Sequence, residues 1–548
     1  MKRLILGAAC IAAIGSVATN VAAAPTRAAE ACVGGKPKCY PTLQAAINAA
    51  HDGDTIRLGP GTYSGGVTID VSIDLEGSGA QSTIINGGGP VLTIGVFGAP
   101  SEPTVSIKGV TVTGGLTTAS AECGPSCGTD YVTATALGGG IEVPPGAAGS
   151  GATVTITDSV ITGNRASPTR TVPSVRAICP GDVHCRFALA GGGGIDNWGA
   201  MTLTHTTVSG NEVSGSISDA DGGGILNMAG SLTLTSSEVT NNRAVGSIPY
   251  GRFAEGGGIF AADGSVLTIR NSVVDDNLAS LTSSIPHPYP MQGGNTDQTN
   301  AHAGGIHLGD GGSATIENSR IDGNAVSVDN PSGEPAAFDA AICICGGSPL
   351  VLHNGSVSDN RVTATVLDTT DSGPDGSALE FDASADISNT HISGNSSTVT
   401  VTSPTGTASV LAAVFAISDP EHPAKVLISN SVISDNSSSA TSTTGTAIAL
   451  GAAIANNGTL ELRNDEIRQN MATVSAPAGS AQGGGMFNAV VFEEPQQLTL
   501  ENTNVMHNIL TGSPGVTLQG GGIYTLGFPI TLTRGVIAHN VPDQCFGC

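Results

Sequence analysis

The chain has 548 residues and carries 20 Lys and Arg against 45 Asp and Glu, a formal net charge of −25. Such a surface repels nucleic acid and anionic membranes and favours solubility, so neither is expected as a partner. Aromatic residues make up only 3% while glycines number 77, which leaves Val, Ile, Leu and Ala to build a core in thin layers.

Lys2 and Arg3 precede an apolar stretch from Leu4 to Ile14 that fades into small residues near Val21. This is a charged n-region followed by an h-region, too short and too alanine-rich for a membrane span. Val21-Ala22-Ala23 and Ala29-Glu30-Ala31 both suit cleavage. The second is expected, giving a signal peptide of residues 1–31, a mature domain of residues 32–548 and a secreted, extracellular or cell-surface location. Removing Lys2, Arg3, Arg27 and Glu30 leaves 17 basic against 44 acidic residues, a net charge of −27. No later segment reads as a membrane span.

Apart from Cys10, ten cysteines fall into five close pairs: Cys32 and Cys39, Cys123 and Cys127, Cys179 and Cys185, Cys343 and Cys345, Cys545 and Cys548. Local pairing in an exported chain predicts disulfides that staple loops and ends. Cys545-x-x-Cys548 also has zinc-ligand spacing, but no second Cys or His pair lies nearby in sequence. A Cys343-x-Cys345 ring would be strained.

Thr42 to Ala50 predicts a short amphipathic helix, with Leu43, Ala46, Ile47 and Ala50 on one stripe and Thr42 as N-cap. It belongs to an N-terminal cap of about residues 32–60. From Val154 onward an eleven-residue phrase recurs eleven times, from Val154–Asn164 and Met201–Asn211 through to Ile530–Asn540. Each copy has alternating β-formers, a turn pair such as Asn271-Ser272 or Asn318-Ser319, a β-branched residue and a closing Asn. Gly-Gly-Gly-Ile or a degenerate form precedes most copies, as at Gly192–Ile195 and Gly222–Ile225.

Self-similarity at this period means a solenoid whose units bury their apolar edges only by stacking. The period-two alternation of Val154-Thr155-Ile156-Thr157 is that of a strand with one buried face. Each coil therefore has three short strands, and Asn at two corners should stack into amide ladders. The expected fold is all-β, a single-stranded right-handed parallel β-helix with a short N-terminal capping α-helix. About fourteen coils at about 4.8 Å each make a rod roughly 65–70 Å long.

Gly-Gly-Gly-Ile followed by Val/Ile-x-x-Asn resembles the paired GGA(I/L) and FxxN repeats of polymorphic outer-membrane proteins. More widely it resembles the right-handed parallel β-helix, pectin-lyase-like superfamily. That resemblance covers about Thr42 to the C-terminus and implies the fold. It does not single out a function, because lyases, hydrolases, esterases and adhesins share this architecture.

Two regions are candidate sites. The stretches between the repeat Asn and the next glycine run vary most and should emerge as loops on one side of the rod. One of them, Arg165–Ala190, gathers Arg165, Arg170, Arg176 and Arg186, a basic cluster suited to an anionic ligand such as a uronate-rich polysaccharide. Pairing of these arginines with surface carboxylates is the plainer alternative. The second region is the outward column of the strand after the glycines: Glu142, Asp196, Leu226, Phe260, His307, Cys343, Glu380, Phe415, Ala455, Phe487 and Tyr524. Exposed rings, Trp198 and Phe260 among them, beside carboxylates such as Glu380 would suit a sugar-binding face, and Glu142 with Asp196 could act as a glycosidase acid pair, His307 lying near. Alternatively the loops cover this column and make it a minor core, with Trp198 packed beneath Arg165–Ala190.

The motifs of pectate lyases, polygalacturonases and pectin esterases are missing, and after the signal only Lys36, Lys38, Lys108 and Lys425 remain. No cofactor is expected, and no metal beyond a loosely held calcium that nothing specific supports. The expected activity is non-catalytic binding of an extracellular polysaccharide or cell-surface glycan. The alternative is a polysaccharide lyase or glycoside hydrolase acting on an acidic, uronate-type polymer.

Overall fold

The computed structural model describes residues 30–34, 39–121, 135–147, 149–170, 188–215, 218–228, 230–247, 253–262, 264–282, 300–309, 311–330, 336–344, 347–366, 376–381, 383–404, 406–417, 425–489 and 497–548. Each strand of the repeat pairs in parallel with the same strand of the next copy, so three walls run the length of a parallel β-helix. The threonine wall has fifteen strands, from Glu30–Val33 to Ile530–Thr533; Leu232 pairs with Leu267 and Leu234 with Ile269. The asparagine wall has fourteen, from Gly61–Ser64 to Val536–Ala538, and so does the glycine wall, from Val67–Ile69 to Cys545–Phe546. Inward residues of all three form one continuous aliphatic core from Val33 to Ile523. Its driving force is stacking, because a lone coil leaves both of its edges in water.

The helix spans Leu43–Ile47, and the Thr42 hydroxyl accepts the Ala45 N–H at 3.1 Å. Its buried residues Leu43, Ala46 and Ile47 join the core of the first coils. Cys32–Cys39 and Cys545–Cys548 are disulfides, the second in place of the zinc-ligand reading. Cys343 is also disulfide-bonded. Cys345, Cys123, Cys127, Cys179 and Cys185 lie outside the described residues, as do residues 1–29, where a signal peptide is expected.

The corner at the repeat Asn holds an unbroken amide ladder. Asn324 is typical: its Oδ1 accepts from both the N–H and the side-chain amide of Asn277, and its Nδ2 donates to the Val274 carbonyl and to Asn360 Oδ1. At the C-terminal end Gln544 Oε1 takes the place of the next Asn, accepting from Asn540. The third glycine of the run shares this corner. A Cβ on Gly194 would sit 2.7 Å from the Gly224 carbonyl oxygen and 2.9 Å from Asn211 Nδ2, so a side chain there would force its neighbours to shift, although Ala341, Ala378, Ala413 and Ala453 take the same place in later coils.

The second corner carries the expected amide ladder in part and at the surface: Asn389 Nδ2 donates to Asn354 Oδ1, Asn464 Nδ2 to Asn430 Oδ1 and Asn502 Nδ2 to Asn464 Oδ1. Its Asn residues, such as Asn271 and Asn318, take the left-handed backbone that a tight bend needs, with φ of 50°. The buried ladder there is built of hydroxyls: Thr206 N–H donates to Ser237 Oγ, Ser237 to Ser272 and Ser272 to Ser319. The small residue of the turn pair points inward, and its hydroxyl is short enough to reach the next backbone amide.

The largest departure concerns the insertions, which sequence reading took for loops. After each repeat Asn the chain runs out along an eleven-stranded sheet, from Leu116–Thr117 to Ile509–Gly512. It returns along a six-stranded sheet (Thr135–Leu137 to Ala336–Phe338) or a four-stranded one (Thr407–Leu411 to Val516–Gln519). The two layers make a thin fin with its own core of small residues, among them Ala244, Ala254, Ala279, Ala301, Val326 and Val362. In Arg243–Ser247 the Ala244 and Gly246 positions are buried while Arg243 is exposed. This is period-two patterning written in alanine and glycine.

Candidate functional site

The outward column of the glycine wall has the register that the repeat implies. Glu142 pairs with Asp196, Asp196 with Leu226, and the series continues through Phe260, His307, Cys343 and Glu380. It is not the exposed face expected, because the return strands of the fin fold back over it. Their facing column is Leu137, Gly191, Asp221, Glu255, His302 and Phe338. The two columns meet along a re-entrant corner. A Cβ on Gly191 would lie 2.2 Å from the Leu226 side chain, and the His302 and His307 rings stand perpendicular with centroids 6.1 Å apart.

The corner has two chemically distinct halves. Toward the C-terminus it is a closed apolar seam of Leu411, Phe415, Ala455, Phe487 and Tyr524, with Phe487 and Tyr524 stacked at 5.4 Å. Those rings are therefore a minor core and no sugar platform. Toward the N-terminus the same positions hold Glu142, Asp196, Asp221, Glu255, His302, His307 and Glu380. Phe260 is half-buried and stacks on His307 at 4.7 Å; Phe338, also half-buried, stacks on His302 at 4.7 Å.

Burial governs the electrostatics here, because a charge taken out of water shifts its own pKa to become neutral. Asp196 is only 1% exposed. Its pKa is pushed well above the carboxylate range, by burial first and by Glu142 second, against a small opposing hydrogen bond from the Trp198 side chain. Neither Asp196 oxygen has a partner of full hydrogen-bond geometry. Burial raises Glu142 as well. Asp221 is pushed well up by burial, then by Glu255 and Asp219. Glu255 is raised by burial, against the opposing effect of His302. Both imidazoles go the other way. Burial lowers His302, and burial with His302 nearby lowers His307 to about 3. The corner thus sets histidines whose pKa values are lowered among closely packed carboxyl groups whose pKa values are raised.

Of the residues singled out from sequence, Glu142, Asp196, His307, Phe260 and Glu380 lie in this corner, and Trp198 sits half-buried at its edge. Arg165 does not. It is on the outer face of the fin, where it pairs with Glu212 at 3.2 Å and donates to Ser214 Oγ at 2.9 Å, as the plainer reading had it. The Arg170 side chain, Arg176 and Arg186 lie outside the described residues. Sequence reasoning missed Asp219, Asp221, Glu255, His302 and Asp339. A signal was present: Asp221 and Glu255 stand directly before a Gly-Gly-Gly-Ile run and His302 directly before its degenerate form Ala303-Gly304-Gly305-Ile306, in three successive coils. His302, Asp339 and Cys343 also place one ligand atom each within 4.8 Å of one another.

No family model matches the chain, and no curated protein resembles it in sequence at a significant level. Among solved structures it is similar to the A-module of the Azotobacter vinelandii mannuronan C-5 epimerase AlgE4, at 12% identity over 92% of this chain and 94% of that one, with a TM-score of 0.27. It is also similar to the AlgE6 A-module from the same organism, at 12% identity over 88% and 94%, with a TM-score of 0.21. Likenesses this distant carry no argument about activity.

Proposed function

We propose that this chain is a secreted or cell-surface β-helix protein that binds a neutral or amino-bearing glycan along the polar half of the corner. The observation behind this reading is the contrast within one column. Its C-terminal half shows that apolar side chains fill these positions, so the acids and histidines of the N-terminal half are not needed for folding and cost stability through desolvation. Groups kept at such cost cluster at functional sites. From Glu142 to Glu380 the column crosses six coil steps, roughly 29 Å at about 4.8 Å each, room for several sugar rings. Phe260 and Phe338 offer ring surface, while Glu142, Glu255 and Glu380 offer acceptors to hydroxyl or ammonium groups. Neither column contains Lys or Arg, so the corner offers the carboxylates of a polyuronate chain no cationic partner. The likeness of the repeats to those of polymorphic outer-membrane surface proteins fits a surface role.

The test is titration of the purified protein against a panel of neutral, amino-bearing and uronate glycans. Retention of neutral or amino glycans, weakened at least tenfold by Phe260→Ala, supports the proposal; retention of no glycan and no cell surface removes it. The elevated pKa of Asp196 beside Glu142 favours a second reading, a glycoside hydrolase or lyase in which Asp196 is the general acid. Its requirement is release of reducing sugars or unsaturated ends, abolished by both Glu142→Gln and Asp196→Asn.

A further inference from the structure

We propose that His302, Asp339 and Cys343 form a binding site for one zinc-class divalent ion, closed while Cys343 is disulfide-bonded and opened when that bond is reduced. Sequence reading expected no metal site, because His302 comes from one coil and Asp339 and Cys343 from the next. His302 ends the return strand Asn300–His302, Asp339 lies in the turn after Ala336–Phe338, and Cys343 is on the glycine-wall strand Ile342–Ile344. Stacking brings one atom of each within 4.8 Å of the others, on the buried side of the corner. His302 Nδ1 and Asp339 Oδ2 are 3.7 Å apart. The edge of a zinc tetrahedron with N and O ligands is about 3.4 Å, so only a small closure is needed.

Three further features point to a ligand. The first concerns the backbone. Asp339 occupies the first position of a degenerate glycine run, with φ of +55°, where Gly192, Gly222 and Gly256 have φ of +61°, +65° and +58°. The same position is Ala303 one coil earlier, at φ of +51°, so the backbone does not require Asp there, and a fully buried carboxyl at this place is kept for its side chain. The second is orientation. Ser377 Oγ donates to Asp339 Oδ1, which holds the carboxylate with Oδ2 toward His302, as outer partners do for metal-binding carboxylates. The third is that His302 Nδ1 is buried and has no hydrogen-bond partner, and neither has Nδ1 of His307, which is 7% exposed and pairs in register with Cys343. A neutral imidazole is a ready ligand. The His302 side chain keeps 18% exposure, leaving an open side for water as fourth ligand.

Opening the site requires an external dithiol. It passes two electrons and two protons to the Cys343 disulfide, yielding two thiols, and itself closes to a cyclic disulfide. The ion then takes the Cys343 sulfur as thiolate, and the thiol proton leaves to solvent. Sequence pairing assigns Cys345 as the other cysteine, separated by one residue.

This assignment stands apart from the glycan reading, and its test involves no glycan. Cys345→Ser leaves Cys343 as a permanent thiol while the other disulfides, Cys545–Cys548 included, stay closed in non-reducing buffer. Cobalt(II) titration followed by absorbance, with zinc content measured in parallel, should show one equivalent per chain and a thiolate-to-cobalt band in Cys345→Ser. Wild type should show neither until a dithiol is added. Adding His302→Ala to Cys345→Ser should weaken binding at least tenfold. Thermal melting of each variant confirms that it is folded. A folded Cys345→Ser protein without the band, oxidised wild type that binds equally, or undiminished binding in the double variant would each overturn the assignment.

Discussion

The amide ladder makes a strong energetic demand on the fold, and Asn324→Ala measures it. Asn324 is fully buried and its side chain takes part in four hydrogen bonds, two accepted from Asn277 and one donated to each of Val274 and Asn360. Alanine removes all four and leaves the Asn277 N–H, an Asn277 side-chain N–H and the Val274 carbonyl without partners where water cannot enter. With about 0.5–1.5 kcal/mol net per bond and about 1–3 kcal/mol for a buried orphan, the loss is about 5 kcal/mol. Asn324→Asp restores the acceptor but faces two oxygens with no donor when ionised, so it should be worse at pH 8 than at pH 4. Asn540→Ala, at the solvent-accessible end of the ladder where Gln544 closes it, should cost about half as much. The assay is urea denaturation with amide exchange of the flanking strands. If Asn324→Ala lay within about 1 kcal/mol of wild type, or matched Asn540→Ala, the ladder would be ornament and the reasoning wrong.

Asp465 replaces a hydroxyl in the second ladder, accepting the Ser431 N–H at 2.7 Å, and burial raises its pKa to about 7. A pKa raised on folding gives stability that is full below about pH 4 and lost as pH climbs through 7. That difference is up to about 4 kcal/mol. Asp465→Thr should flatten this part of the profile when melting is compared with wild type from pH 4 to 8. Asp196→Leu, which copies the neighbouring Leu226, should stabilise the protein by about 1–3 kcal/mol, because an unsatisfied buried carboxyl gives way to an apolar side chain. A lower melting temperature would show that Asp196 is held by interactions not accounted for here.

Much of the fold was legible because its determinants repeat. The Asn of each copy, the Leu-Thr alternation and the glycine run fix one register, and every column inferred for the glycine wall pairs as written. The fin was not legible. Its strands are short, they mix Val and Thr with many Ala, Ser and Gly residues that dilute the β-branched and aromatic signature of strands, and they vary in spacing between copies. Once the fin was read as loops, the column from Glu142 to Tyr524 looked exposed. The same error hid His302, whose neighbours His307 and Asp339 come from a different strand and a different coil. Arg165 illustrates the converse. Its position after the repeat Asn already hinted at a structural role, and the ion pair with Glu212 fills it.

The most direct test of the functional account is the affinity of the protein for its best glycan after Glu255→Gln and Phe260→Ala together. Thr233→Ala on the threonine wall, outside the corner, serves as control. The account predicts at least a hundredfold loss for the corner pair, with the melting temperature held or raised, and no change for the control. Equal affinity in all three proteins would place recognition elsewhere on the rod and leave the polar corner without the role assigned to it.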